Sequence, residues 1–81
     1  MALIRTATQA GAALAARRQA LRLSQEAVAA RLGVSQNRLS VLEKHPDRIT
    51  LDRFLALAHL LGLEVTLQPK LPPGSPASTE W

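Results

Sequence analysis

The side chains best suited to chemistry cluster between positions 36 and 44: Gln36, Asn37, Arg38, Ser40, Val41 and Lys44. An amide donates and accepts at once, so Gln36 and Asn37 can bond adenine in a bidentate manner. A hydroxyl can bond base or phosphate, and Arg38 and Lys44 supply cations for phosphate oxygens. Val41 has a size suited to a thymine methyl group. If residues 36–43 form a helix, a turn of ~100° per residue sends Leu39 and Leu42 towards a core. Asn37, Ser40, Val41 and Lys44 then lie opposite, with Gln36 and Arg38 on the flanks. A plainly solvated helix usually carries Glu and Lys, whereas this face has no acid. The pattern favours a surface that reads nucleic acid over one that is merely soluble.

Catalysis has no support. There is no Cys, the two histidines His45 and His59 are isolated, and no nucleophile–base pair or phosphate loop is visible. The chain is therefore expected not to be an enzyme and to hold no metal and no cofactor. Ala and Leu supply 29 of 81 residues, while Phe54 and Trp81 are the only aromatics. That bias favours helix and argues against single-strand readers, which need aromatic platforms. The net charge of +4 is unevenly placed. Residues 1–44 carry seven bases (Arg5, Arg17, Arg18, Arg22, Arg31, Arg38, Lys44) against Glu26 and Glu43, a balance of +5; residues 45–81 come to −1. A basic half is a prior for a polyanionic partner. No apolar run approaches the ~20 residues of a membrane span, and no signal-peptide pattern opens the chain. A cytoplasmic, nucleoid-associated protein with no membrane partner is expected.

The elements that position these residues can be read from their caps. Thr6 or Thr8 can cap a first helix reaching about Leu21, with Ala10, Leu14 and Leu21 on one face. Ser24 caps a second, Gln25–Leu32, stopped by Gly33. Ser35 caps the third, Gln36–Glu43, and Pro46 marks a loop over 44–49. Thr50 caps a fourth, Leu51–Leu61, ended by Gly62. With Gln25 as position one, Ala29 is fifth, Gly33 ninth, Leu39 fifteenth and Leu42 eighteenth. Ala29 must be small where two helices cross closely, and Gly33 allows a tight turn at no steric cost. Val28, Leu32, Val34, Leu39 and Leu42 supply a shared apolar interior. This is a helix-turn-helix arrangement.

Beyond Gly62 the period changes. Leu63-Glu64-Val65-Thr66-Leu67-Gln68 alternates apolar and polar, as a half-buried strand does. A lone strand leaves both edges unpaired, so pairing with the same strand of a second copy is expected through Leu63, Val65 and Leu67. The fourth helix agrees, since Leu55, Leu57 and Leu60 spread apolar surface beyond one stripe. Residues 1–68 thus form one binding and dimerisation domain, all-α with a small β addition. Residues 69–81, with four prolines and a glycine, read as a disordered tail. Glu80 and Trp81 at its end are candidates for binding a partner, Trp being enriched at interaction hot spots.

The stretch from Leu23 to Ser35 (LSQEAVAARLGVS), with Leu39-Ser40, Leu42-Glu43, Thr50-Leu51, Leu55-Ala56, Ala58 and Leu61-Gly62, resembles the Cro/C1-type (XRE) helix-turn-helix repressors. The resemblance implies a lambda-repressor-like domain of four to five helices and a palindromic operator in double-stranded DNA. It implies that Gln25 meets a phosphate, that Ser35, Gln36, Asn37 and Ser40 enter the major groove, and that Arg38 and Lys44 contact phosphates. It also implies an internal ion pair between Arg18 and Glu43. Many members continue into a fifth helix, whereas this chain turns to a strand and a tail. That layout resembles the HipB-like antitoxins, homodimeric autorepressors that neutralise a HipA-like serine/threonine kinase toxin. A free-standing repressor is the alternative; a protein-only neutraliser is disfavoured by the acid-free face. One departure stands out. The position before Leu23 is often Gly or Asn in the family and is Arg22 here. A left-handed conformation at that residue costs about 1 kcal/mol.

Overall fold

The computed structural model describes residues 3–70. Four helices follow one another: α1 (Ala7–Ala20), α2 (Gln25–Leu32), α3 (Gln36–Lys44) and α4 (Leu51–Leu60), with a short 3-10 turn at Pro46–Arg48. Each helix starts at a hydroxyl. Thr6, Ser24, Ser35 and Thr50 accept from the backbone N–H groups of Gln9, Ala27, Arg38 and Arg53 at 3.1, 3.0, 3.1 and 3.2 Å. A cap of this kind contributes about 1 kcal/mol by satisfying a donor that the helix itself cannot.

The core is one cluster. Leu14 of α1, Val28 and Ala29 of α2, Leu39 of α3, and Leu57, Ala58 and Leu61 at the end of α4 are buried together. Leu23, Leu32, Val34, Ile49, Phe54, Leu60 and Leu63 pack around them. Leu39 is fully buried and Leu42 nearly so. This fixes the rotation of α3 about its axis. Fully burying a leucine contributes about 1.5–3 kcal/mol, so turning α3 by half a turn costs at least that for each. Ala29 is buried at 2% exposure, as a close crossing of α2 and α3 requires. Gly33 ends α2 at φ 83°, and its N–H and that of Val34 both donate to the Ala29 carbonyl.

Two expectations from the sequence need correction. Leu21 does not share the buried face of α1: it is 40% exposed and is the capping residue, one position past the end of α1 at Ala20. The buried neighbour of Leu14 is Gly11 instead. The segment after α3 is not an open loop, because Pro46 opens a 3-10 turn. That turn packs against α1 so closely that a Cβ added to Gly11 falls 2.6 Å from Pro46 Cβ. Among the described residues the helices number four, as the caps indicate, and no strand is assigned. Residues 63–70 carry no helix and no ladder, and a ladder needs a second strand that a single chain does not contain. Leu63 leans on the core, while Val65 is 48% and Leu67 97% exposed. Leu51 and Leu55 of α4 are also exposed. The tail from 71 onward, with Glu80 and Trp81, lies outside the described residues.

Candidate nucleic-acid interface

With Leu39 and Leu42 turned inward, the outer side of α3 presents the polar and cationic side chains expected there. Ser35, Gln36, Asn37, Arg38, Val41 and Lys44 are exposed, and Ser40 is half-buried. Ser35 spends its hydroxyl as the α3 cap, accepting from Arg38 N–H. Its oxygen can still donate its own proton outward. The amides of Gln36 and Asn37, the guanidinium of Arg38 and the ammonium of Lys44 make no hydrogen bond among the described residues. Their donors and acceptors are open to an external partner. Val41 is 38% exposed, an apolar spot between polar groups.

Behind this face stands a brace of three helices. Arg18 of α1 donates from Nε to Glu43 Oε2 at 2.8 Å and from Nη2 to Glu43 Oε1 at 3.2 Å. Its Nη1 donates to the Leu23 carbonyl at 2.8 Å. The side chains of the pair are 12% and 13% exposed. One arginine therefore holds the end of α3 and the turn that leads into α2. Gln25, the first residue of α2, joins the same carboxylate: its Nε2 donates to Glu43 Oε1 at 2.9 Å. The family resemblance implies a phosphate contact for Gln25. Here the amide has one N–H on Glu43, and the second stays available beside the α2 N-terminus, where backbone N–H groups and the helix dipole favour an anion. The carboxylate thus orients Gln25 as well as anchoring α3, a bond that sequence reasoning missed because the two residues lie on different helices.

Arg17 was also missed. Its Nε donates to the Leu61 carbonyl at 2.9 Å, tying α1 to the last turn of α4. A cation suits the negative end of a helix dipole. The adjacent arginines at 17 and 18 therefore do structural work in two directions. Arg22 is at φ 58° and is the one non-glycine residue with positive φ among those described. The strain that the sequence left conditional is present, at a cost of about 1 kcal/mol.

No group of His, Asp and Glu among the described residues is placed to hold a metal ion. No helix of the described part is long and apolar enough to cross a membrane. The arrangement is suited to binding: a rigid helix with an acid-free outer face, backed by a buried apolar side and held at its far end by an ion pair.

A family model described as helix-turn-helix matches residues 14–68, more than half of the chain. No curated protein and no solved structure matches it. The matched span runs from Leu14, the core residue of α1, through α4 and the alternating segment to Gln68.

Proposed function

The chain belongs to the Cro/C1-type helix-turn-helix family and is a DNA-binding transcription regulator, and from that premise we propose that it is a HipB-like antitoxin. In this reading it represses its own operon from a palindromic operator and neutralises a HipA-like serine/threonine kinase. α3 lies in the major groove with Gln36, Asn37, Ser40 and Val41 towards base edges and Ser35 at the entry. Gln25, Arg38 and Lys44 meet phosphates on either side. The phosphate contacts set register and affinity, and the amides carry the discrimination.

One observation carries the antitoxin reading, the form of the segment after α4. Beyond Gly62 the described chain is not a fifth helix but a run without helix whose apolar residues Val65 and Leu67 are uncovered in the single chain. A second copy placing its own run alongside covers them and pairs the backbone groups. The two-fold axis so formed matches the symmetry of a palindrome. Beyond that run, Glu80 and Trp81 are assigned to the kinase: a large aromatic can fill a pocket, and the Glu80 carboxylate suits a basic rim.

Trp81 is the sole indole, so its emission reports on this directly. Adding a HipA-like kinase encoded beside this gene is expected to shift the emission to the blue, and deleting residues 72–81 to weaken the complex while leaving operator binding intact. No complex with such a kinase, alongside unimpaired operator binding, would leave a free-standing repressor as the function.

A further inference from the structure

We propose that Arg22 is an additional phosphate contact of the DNA-binding surface. This rests on the DNA-binding reading and adds to it a residue outside α3. α1 and α4 end in the same motif. After α4, Gly62 takes φ 74°, its N–H donates to the His59 carbonyl, and Leu63 N–H reaches back to Ala58. After α1, Arg22 takes φ 58°, its N–H donates to the Gln19 carbonyl, and Leu23 N–H reaches back to Arg18. Turn for turn, Arg22 occupies the position of Gly62. Glycine accepts this conformation freely, whereas a Cβ disfavours it. The third left-handed residue, at the end of α2, is again a glycine, Gly33. Only at position 22 does the described chain place a long cationic side chain where a glycine belongs.

Nothing among the described residues rewards that choice. Arg22 is exposed, and its guanidinium has no hydrogen bond or ion pair there, while Arg17 and Arg18 each hold a partner. A strained residue persists where its side chain is needed, and an exposed guanidinium without an internal partner is suited to an anion from outside. Its place indicates which anion. Arg22 leads directly into Leu23, whose carbonyl Arg18 holds, and stands three residues before Gln25, whose amide meets Glu43 beside Lys44. Arg18 neutralises Glu43, so that carboxylate does not cancel the charge of Arg22. A phosphate of the backbone that meets Gln25 is the matching partner. The contact carries charge and position, not sequence.

The test uses a mixed-sequence DNA duplex, because a phosphate contact contributes to non-specific binding as well. Wild type, Arg22→Gly and Arg22→Lys are titrated over a range of salt concentrations and melted without DNA. Arg22→Gly is expected to keep or raise Tm, since the strain is relieved. Its affinity should fall, and its slope of log K against log salt should shrink by roughly 0.9, the value of one phosphate contact. Arg22→Lys keeps the charge and should keep the slope. An unchanged slope in Arg22→Gly, with wild type binding normally, overturns the assignment alone. A fall in Tm that accounts for the lost affinity also overturns it, because the role is then structural. Wild type that binds no duplex at any salt concentration overturns the DNA-binding reading itself, and this inference with it.

Discussion

The Arg18 guanidinium and the Glu43 carboxylate meet in a two-pronged contact, at 2.8 and 3.2 Å, between the last turns of α1 and α3. Both side chains are close to nine-tenths buried, and the geometry uses the fixed fork of arginine. Removing one member leaves the other charge unpaired in a partly dry site, a loss on the order of 3–5 kcal/mol where burial is deep. Such a loss is a large share of the ~5–15 kcal/mol that holds a domain folded. Arg18→Ala and Glu43→Ala are therefore expected to lower Tm steeply, with DNA binding failing because the fold fails. A normal Tm with lost DNA binding would show instead that Arg18 spends its charge on phosphate. Glu43→Gln should fall between the extremes, because an amide oxygen still accepts from Arg18 and Gln25 but brings no charge.

Two glycines separate conformational strain from steric strain. Gly33 has open space around its missing Cβ and a φ of 83°, so Gly33→Ala is expected to cost about 1 kcal/mol through the backbone alone. Gly11 has an ordinary helical backbone, but its missing Cβ would sit 2.6 and 2.7 Å from Pro46 Cβ and Cγ. A proline ring cannot rotate aside. Gly11→Ala gains helix propensity, yet it must push the 3-10 turn off α1, and overpacking of this kind costs roughly 1–3 kcal/mol. Thermal melts of the two variants check both values. A Gly11→Ala protein more stable than wild type would mean that the Pro46 turn moves away freely.

Val65 tests the second copy. Val65→Pro removes a backbone donor from the middle of the alternating run. If two such runs pair in solution, the variant should dissociate at concentrations where wild type is a dimer, with a lower Tm. Light scattering at micromolar concentration reads the mass directly. A monomeric wild type there would remove the strand pairing from the account.

How much of this was legible in the residues depends on how local each cause is. Ser24, Ser35 and Thr50 cap three residues along their own chain, so a hydroxyl before an apolar period was enough to place α2, α3 and α4. The inward turn of Leu39 and Leu42, and hence the outer face of α3, came from helical spacing alone. The first helix was harder. Its Ala-rich composition gives a weak stripe, and Leu21 looked periodic although it is the cap. The contact of Gly11 with Pro46 joins residues far apart in sequence, and no pattern along the chain singles Gly11 out. The bonds of Gln25 to Glu43 and Arg17 to Leu61 were hidden for the same reason. The positive φ of Arg22 was foreseeable only through the family's habit of placing Gly or Asn there.

The central claim is that the outer face of α3 reads DNA sequence, and the most direct measurement is selection of binding sites from random duplexes by wild type, Gln36→Ala, Asn37→Ala and Lys44→Ala. Wild type is expected to select an inverted repeat with half-sites about one helical turn, roughly 34 Å, apart. Gln36→Ala and Asn37→Ala should each lose preference at particular bases, by on the order of 1–3 kcal/mol. Lys44→Ala should keep the selected sequence while weakening every site and flattening the salt dependence. If Gln36→Ala and Asn37→Ala select the same sequences as wild type with the same stringency, the recognition surface lies elsewhere on the molecule and the account is wrong.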